Sequence, residues 1–272
     1  MNTPRPADLA LARRLEGSDA ARCADYAHAR PNVAPDLNPA VLRVADGVAI
    51  YAGENSPYSG AVGLGLHGPV ARAEFDRLEA FYRGFGISGL VCLCPLADRS
   101  LVELVNRAGY RIELFMHAWY RELLDGERHA PAAPGVVTRP IRPDEVDLWV
   151  RVAFSGGLDS DDAQPHRTAI VAAYPYMAHT TCYLAWLDGV PAGAAALTIH
   201  NGVANLFGAS TRPCCRGRGV QAALLARRLT DAAAAGCDLA LTHTEPGGPS
   251  QRNIERLGFR LAYTKTILRG EE

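Results

Sequence analysis

The sequence has 272 residues, 48% of them hydrophobic, and a formal net charge of -1. This length suffices for one large domain or two small ones. A nearly neutral chain gives no bulk electrostatic reason to expect a nucleic acid or an anionic membrane as a partner. No stretch of the sequence approaches the roughly eighteen uninterrupted apolar residues of a spanning helix, and we expect no membrane partner.

Residues 1–8 lead into a charged segment without the apolar core of a signal peptide, which predicts a cytoplasmic protein. The cysteine count of seven is odd, which argues against a disulfide framework. Cys214 and Cys215 have no second cysteine pair or spaced histidines to complete a metal site, so no metal is expected.

The first half of the chain predicts an alternation of helices and strands. Hydrophobic spacing predicts helices over 8–30, 71–84 and 98–108, and strands over 41–44, 48–52, 61–66, 90–94 and 110–122. Asp46-Gly47 is a strong signal for a tight hairpin turn, and Asp98 is placed to cap a helix. The unpatterned, proline-bearing stretch 125–135 is predicted to link a domain at 1–124 to a second at 136–272.

The second half repeats this plan and adds a basic glycine loop. The predicted strands are 136–139, 182–187, 191–199, 203–209, 239–244 and 259–268, and the predicted helices are 143–154, 167–176, one from Val220 and one at 250–257. Local matches that favour a duplication pair 45–48 with 187–190, 93–95 with 244–246, and 106–111 with 255–260.

The loop Arg216-Gly217-Arg218-Gly219 enters an amphipathic helix. The first amides of a helix have no intrahelical acceptor and carry the positive end of the helix dipole, so the loop is suited to a diphosphate. A solvated connection is the alternative interpretation. Apolar residues of the helix are Val220, Leu224, Leu225 and Leu229, with Gln221, Arg227, Arg228 and Asp231 on other sides. The first half has Pro69 and no arginines at the matching place, which predicts that its phosphate site is lost.

Residues 136–268 resemble the GNAT superfamily of acyl-CoA-dependent N-acyltransferases in their order of elements, their loop and a closing segment that ends in Leu-Gly-Phe. The family loop, Arg/Gln-x-x-Gly-x-Gly/Ala, fits at Arg216 and Gly219 and has Gln221 in the last place. The first half resembles the same fold in degenerate form. The resemblance to a tandem GNAT protein implies an α/β (α+β) class with two domains, each a mixed, largely antiparallel sheet flanked by helices.

The resemblance also implies acetyl-CoA as co-substrate and direct transfer of its acetyl or other acyl group to a primary amine of a small molecule or peptide, by a monomer or homodimer. The strand edge would hold the pantetheine arm and polarise the carbonyl, and the loop amides would hold the diphosphate. The implied cofactor residues are Leu206, Phe207, Gly208, Ala209, Arg216, Gly217, Arg218, Gly219, Val220, Gln221, Ala222, Ser250 and Asn253.

The proton-transfer groups depart from the family pattern, because Ile254 occupies the place of a tyrosine that acts as general acid in many relatives. Glu245 and His243, at a strand end, are candidate relays for a proton. Tyr263 offers a hydroxyl, although its alternation with apolar residues also fits core packing. The acidic loop residues Asp159, Asp161 and Asp162 are candidates to attract a cationic acceptor, and a flexible soluble loop is the alternative.

Two other functions compete with acyl transfer. Ile254 and the degenerate first half also fit a CoA-binding or interaction protein without activity. Gly217-x-Gly219-x-x-Ala222 fits the fingerprint of a dinucleotide-binding oxidoreductase, with Glu245 on the ribose. That fold needs further strand-helix units after the loop, and only 27 residues follow Glu245.

Overall fold

A computed structural model describes residues 7–54, 56–129, 133–155 and 165–271. In these ranges the helices are α1 (Leu9–Ala29), α2 (Arg72–Gly84), α3 (Arg99–Arg107), α4 (Val146–Ser155), α5 (Pro165–Ala172), α6 (Val220–Ala234) and α7 (Pro249–Arg256). The strands are β1 (Ala40–Val44), β2 (Gly47–Tyr51), β3 (Gly60–Val62), β4 (Leu90–Leu93), β5 (Arg111–Glu122), β6 (Val136–Pro140), β7 (Thr180–Leu187), β8 (Val190–His200), β9 (Val203–Thr211), β10 (Leu239–Thr244) and β11 (Arg260–Arg269).

Contacts divide the chain into two compact units. The first comprises the described residues of Met1–Pro31, Pro35–Tyr120 and His243–Glu272, and the second those of Asn32–Ala34 and Arg121–Thr242. The C-terminal segment from His243 therefore groups with the N-terminal residues, whereas the sequence predicts it as part of a domain at 136–272. The compact units and the predicted domains differ in this segment.

The sheet of the first unit runs in the order β1, β2, β3, β4, β11, β5. The predicted hairpin joins β1 and β2 through Ala45 and Asp46, whose φ angles of 48° and 63° are those of a tight hairpin turn. β3 and β4 are parallel, and the other neighbours are antiparallel. β11 lies between β4 and β5, so that Thr266 pairs with both Leu93 and Phe115.

Helices cover this sheet with an apolar core. Phe75 and Leu78 on α2 and Leu101 on α3 are each 1% exposed. Asp98 caps α3 as predicted, because its Oδ1 accepts from Ser100 N at 2.9 Å. Helix α1 differs from an ordinary amphipathic helix, since it also buries the charged residues Glu16, Asp19 and Arg22. Buried charge on that scale needs partners.

The sheet of the second unit runs in the order β6, β7, β8, β9, β10. The first three neighbouring pairs are antiparallel, and β9 and β10 are parallel. Each unit thus has a mixed, largely antiparallel sheet flanked by helices, as the sequence predicts. The strands before the glycine loop are antiparallel, whereas the loop of a dinucleotide-binding oxidoreductase follows the first strand of a parallel sheet. The topology therefore argues against the oxidoreductase alternative.

Opposite faces of the second sheet are covered by α4 and α6. A β-carbon added at Gly193 would meet Val220 of α6, whereas Ser210, which faces the other side, donates to Val152 O of α4 at 3.1 Å. Trp149 of α4 is 0% exposed, and its indole N–H donates to Tyr183 O at 3.0 Å. The core of this unit therefore includes a hydrogen bond that joins α4 to strand β7.

Glu145 links β6 to the start of α4, and we expect it to make the second unit sensitive to acid. Its carboxylate accepts from both Nη atoms of Arg139 at 2.7 Å and from Arg142 N at 2.8 Å. The Arg139 hydrogen bonds, followed by the Arg142 amide, lower the pKa of Glu145 to about 2. A carboxyl with a depressed folded pKa stabilises the fold above its unfolded pKa and loses this contribution as the pH falls through the folded value.

Chemical denaturation of the protein and of Glu145→Gln measures this effect. The two unfolding free energies should differ most at neutral pH and converge as the pH falls from 4.5 to about 2. A difference that does not change with pH over that interval would contradict the assignment.

Candidate functional site

The glycine loop changes direction twice before α6. A short turn at Pro213–Cys215 is followed by Arg216 in an extended conformation. Gly217 and Gly219 then adopt φ angles of 74° and 80°. This left-handed region is strained for residues with a β-carbon, so both places favour glycine. The residues from Arg216 to Arg218 are exposed, and the Arg216 amide donates to Pro213 O at 3.2 Å.

The amides at the start of α6 are available to an anion. The N-cap Gly219 has no side chain to accept from them, and the hydrogen bond from Ala223 N to Gly219 O, at 3.0 Å, begins the helical ladder. The N–H groups of Val220 and Ala222 therefore have no acceptor within the helix. Arg218 adds positive charge and pairs with the exposed Asp188 at 2.7 Å. This geometry suits a phosphate group.

A β-bulge interrupts the pairing of β8 and β9 near this loop in the fold. Ala194 pairs with Ser210 and Ala196 with Phe207, so Gly208 and Ala209 together face Ala195. Gly208 has a φ of 58°, and a β-carbon there would lie 2.9 Å from the ring of Tyr174. Glycine is thus required at the bulge for both conformation and space.

Two buried side chains hold the carbonyl groups of this bulge. Arg228 of α6 is 1% exposed, and its Nη1 donates to Ala196 O at 3.0 Å and Phe207 O at 3.3 Å. Trp149 Nε1 donates to Ala195 O at 3.3 Å. Burial lowers the pKa of Arg228 to about 10. Its Nη2 meets no hydrogen-bond partner among the described residues.

The placement of Arg228 corrects the sequence interpretation, which put it away from the apolar side of the helix. Its spacing of four residues from Leu224 and three from Leu225, both buried, was the available signal. An arginine at such a place is ordinarily taken as solvated. Its burial is explained by the carbonyl groups that accept from it, Ala196 O and Phe207 O at the bulge and Leu224 O in the helix.

The parallel strands β9 and β10 pair over a short distance. Their register joins Val203–Asn205 to Leu239–Leu241. At the next position Leu206 O accepts from the side-chain hydroxyl of Thr242 at 2.8 Å. The following residues of β9 are those at the bulge. A glycine loop at a helix start, a bulge and a short parallel pair therefore occur together in the second unit.

Comparison with protein families decides the identity of this arrangement. Residues 149–259 match the acetyltransferase (GNAT) family. This segment belongs to the GNAT family. A search with the sequence finds no similar protein among those with curated functions.

Solved structures extend the likeness in fold beyond the GNAT domain. A GCN5-related N-acetyltransferase from Kribbella flavida is 20% identical, with a TM-score of 0.68 over 96% of each chain. A tandem GNAT protein from the clavulanic acid biosynthesis pathway is 17% identical, with a TM-score of 0.57 over 99% of this chain and 97% of that one. A GCN5-related N-acetyltransferase from Sphaerobacter thermophilus is 16% identical, with a TM-score of 0.56 over 98% and 94%. The fold of nearly the whole chain is thus similar to the folds of these three proteins, one of which is a tandem GNAT protein.

The predicted catalytic residues lie outside the unit that holds the glycine loop of the GNAT domain. His243 and Tyr263 are in the first unit, where Tyr263 donates to Glu16 Oε1 at 2.8 Å and His243 Nε2 is 3.8 Å from Asp19 Oδ2. Burial raises the pKa of Tyr263 and lowers that of His243 to about 3. The third candidate, Glu245, is exposed and is not part of this buried cluster.

The remaining predicted residues are distributed as follows. Ser250 is exposed on α7 and Asn253 is half-buried there. Ile254, in the place of the tyrosine of many GNAT relatives, is 3% exposed and forms part of the core. Asp159, Asp161 and Asp162 lie outside the described residues. In the part of the chain that is described, no group of side chains could hold a metal ion, and no helix is long and apolar enough to cross a membrane.

In the first unit, the helix at the corresponding place is α2, and side chains form hydrogen bonds with the backbone just before it. Val70 N, two residues before α2, donates to Ser100 Oγ at 2.8 Å, and Leu66 O accepts from Arg13 at 2.8 Å. Ala71, at the N-cap, has an extended backbone in place of the left-handed glycine of the second unit. The two helix starts therefore differ, and the loss of a phosphate site from the first half stays a prediction.

Proposed function

We propose that the protein is an N-acetyltransferase that moves the acetyl group of acetyl-CoA to a primary amine. The observation that carries the proposal is the occurrence, within a segment of the GNAT family, of a left-handed Gly219 before α6 together with the Gly208–Ala209 bulge of β9. The family uses acetyl-CoA, which supplies an activated acyl group as a thioester. The residues of the second unit fit such a co-substrate.

The glycine loop would hold the diphosphate. The amides of Val220 and Ala222 and the charge of Arg216 and Arg218 favour a doubly charged group at this helix start. The Arg216 amide, which the sequence also assigns to the diphosphate, donates to Pro213 O at 3.2 Å instead. The edge of β9 from Leu206 to Ala209 would hold the pantetheine arm. Ser250 and Asn253 group with the first unit, and their part in holding the co-substrate stays a prediction from the sequence. Arg228 would act as a positioning residue, because it fixes the bulge carbonyls without reaching the loop.

Backbone amides along the β9 edge would stabilise negative charge on the thioester oxygen as the amine attacks. Orientation of the two reactants then supplies much of the rate enhancement. Of the proton carriers that the sequence suggests, Glu245 is exposed, whereas His243 and Tyr263 belong to the buried cluster. Glu245 is therefore the one that we keep as a candidate to relay a proton through water.

The acceptor class is proposed as a small molecule or a peptide with a free amine. The test mixes the full-length protein with acetyl-CoA and a panel of amines, and follows the release of free CoA with a thiol reagent. Release that depends on the amine supports transfer. Tight binding of acetyl-CoA without release for any amine would favour the alternative of a CoA-binding protein without activity.

A pair of matched variants tests the co-substrate site. Gly219→Val and Gly236→Val place the same side chain at the two ends of α6, where φ is 80° and 78°. Each should lose about 1–2 kcal/mol of stability through backbone strain. Only Gly219→Val should lose affinity for acetyl-CoA, by at least about tenfold in isothermal titration calorimetry. Equal affinities of the two variants would refute a diphosphate site at this loop.

A further inference from the structure

The first unit contains a cavity of about 460 Å³ that the proposed transfer reaction does not use. Its volume lies in the range of pockets for small molecules. The polar part of its lining, here called the polar wall, includes Asp19, Arg22, His243 and Lys265. The apolar part, here called the apolar wall, includes Val62, Leu90, Leu114, Met116 and Ile267. A cavity of this kind favours an amphipathic molecule.

The buried charges at the polar wall and directly behind it are balanced among themselves. Of the other charged residues that line the cavity, Glu113 pairs with Arg269 and Glu54 is exposed. Asp19 pairs with Arg22 at 2.7 Å and with Lys265 at 2.9 Å, and Lys265 also pairs with Glu16 at 2.9 Å. With Glu16 ionised, two carboxylates face two cations, and all four side chains are buried. A ligand that brought a further charge would leave it without a counter-ion, which is costly in a buried site. The polar part of the ligand should therefore be uncharged.

His243 supplies a hydrogen-bonding group that protein atoms do not satisfy. Its Nε2 is buried and has no hydrogen-bond partner among the residues that the structure describes. Burial lowers the pKa of His243 to about 3, so its imidazole is neutral at physiological pH. The nitrogen is 3.8 Å from Asp19 Oδ2, too far for a hydrogen bond. A group that both donates and accepts can serve this nitrogen and its charged neighbours.

We propose that this cavity binds a small amphipathic molecule whose polar head is an uncharged hydroxyl or primary amide, placed at His243, with its aliphatic body on the apolar wall. A hydroxyl or amide has the donor and the acceptor that the polar wall requires. The apolar side chains remove the hydrocarbon from water. This site is separate from the glycine loop and does not depend on acetyl transfer.

The test compares four six-carbon probes that share an aliphatic body: 1-hexanol, hexanamide, hexylammonium and hexanoate. Binding to the full-length protein is measured by isothermal titration calorimetry. We expect hexanol and hexanamide to bind at least about tenfold more tightly than either ion. Preference for an ion, or no binding of the neutral probes, would overturn the proposal.

Variants locate the binding. Met116 lines the cavity, whereas its neighbour Phe115 is 48% exposed, so Met116→Trp fills the site and Phe115→Trp is the matched control. Met116→Trp should abolish binding of hexanol, and Phe115→Trp should retain it. His243→Phe keeps the ring and should weaken binding of the neutral probes about tenfold by removing the polar nitrogen. Unchanged hexanol binding by either Met116→Trp or His243→Phe would refute this placement.

The binding of the four probes tests the cavity independently of the proposed enzyme activity. The titrations contain no acetyl-CoA, so failure of transfer leaves them unaffected. Conversely, a protein that fails to bind the neutral probes can still bind acetyl-CoA and lose this binding in Gly219→Val.

Discussion

Replacing Lys265 with methionine is expected to lower the free energy of unfolding of the first unit by about 4 kcal/mol. The ammonium group is 2% exposed and bonds to the carboxylates of Asp19 and Glu16 at 2.9 Å. Its removal leaves two like charges close together in a buried site. Amide hydrogen exchange on α1 and β11 measures the loss within this unit, which matters because a chain with two compact units need not unfold in one step.

The double variant Glu16→Gln with Lys265→Met is the control, since it removes one carboxylate together with the ammonium. It should recover a large part of the lost stability. The single variant should also become more stable as the pH falls from neutral towards 4.5, the ordinary pKa of a glutamate. Burial raises the pKa of Glu16 in the fold, so the folded state binds a proton before the unfolded chain does. A single variant as stable as the original protein at neutral pH would contradict the role of this cluster.

Trp149→Ala is expected to destabilise the second unit by about 4 kcal/mol. The indole is fully buried, and its N–H donates to carbonyl groups on two strands, Tyr183 O and Ala195 O. The variant both opens a cavity and leaves those buried acceptors without their donor. Hydrogen exchange of the β7 and β8 amides, compared before and after the change, measures the loss.

Trp149→Phe separates these two causes. Phenylalanine keeps most of the ring volume and lacks the N–H, so its cost should be that of the hydrogen bonds, about 1–3 kcal/mol. Because Ala195 lies at the β-bulge, Trp149→Phe should also weaken acetyl-CoA binding if the proposed site is right. A phenylalanine variant as damaged as the alanine variant would show that the indole N–H, and not packing, dominates.

Local signals in the sequence predicted much of the fold. The hairpin signal at Asp46-Gly47, the Asp98 cap and the glycines before α6 all act over a few residues. The structure has the cap, the glycines and the hairpin, whose turn lies one residue earlier, at Ala45 and Asp46. The order of strands and helices and the resemblance of residues 136–268 to the GNAT superfamily rested on the same short patterns, and the family match at residues 149–259 confirms that resemblance. Such features depend on backbone conformations that neighbouring residues impose.

Features that depend on distant contacts were not predicted. Nothing near Arg228 in the sequence indicates the carbonyls of Ala196 and Phe207 to which it donates. His243 and Tyr263 were predicted from strand position alone, and their neighbours Glu16 and Asp19 are more than 220 residues away in the chain. Alternation along a strand gives the face of a side chain but not the residues that it meets there.

The position of β11 between β4 and β5 also constrains how the protein is made. During synthesis, the ribosome releases β4 and β5 long before β11, with the second unit translated in the interval. The gap between β4 and β5 is filled only after β11 has been synthesised. Until then, the unpaired edges of β4 and β5 must be kept from pairing with other chains. Cutting the gene within codons 125–135 would yield an N-terminal fragment with an unfilled gap in its sheet, and we expect that fragment to aggregate when expressed alone.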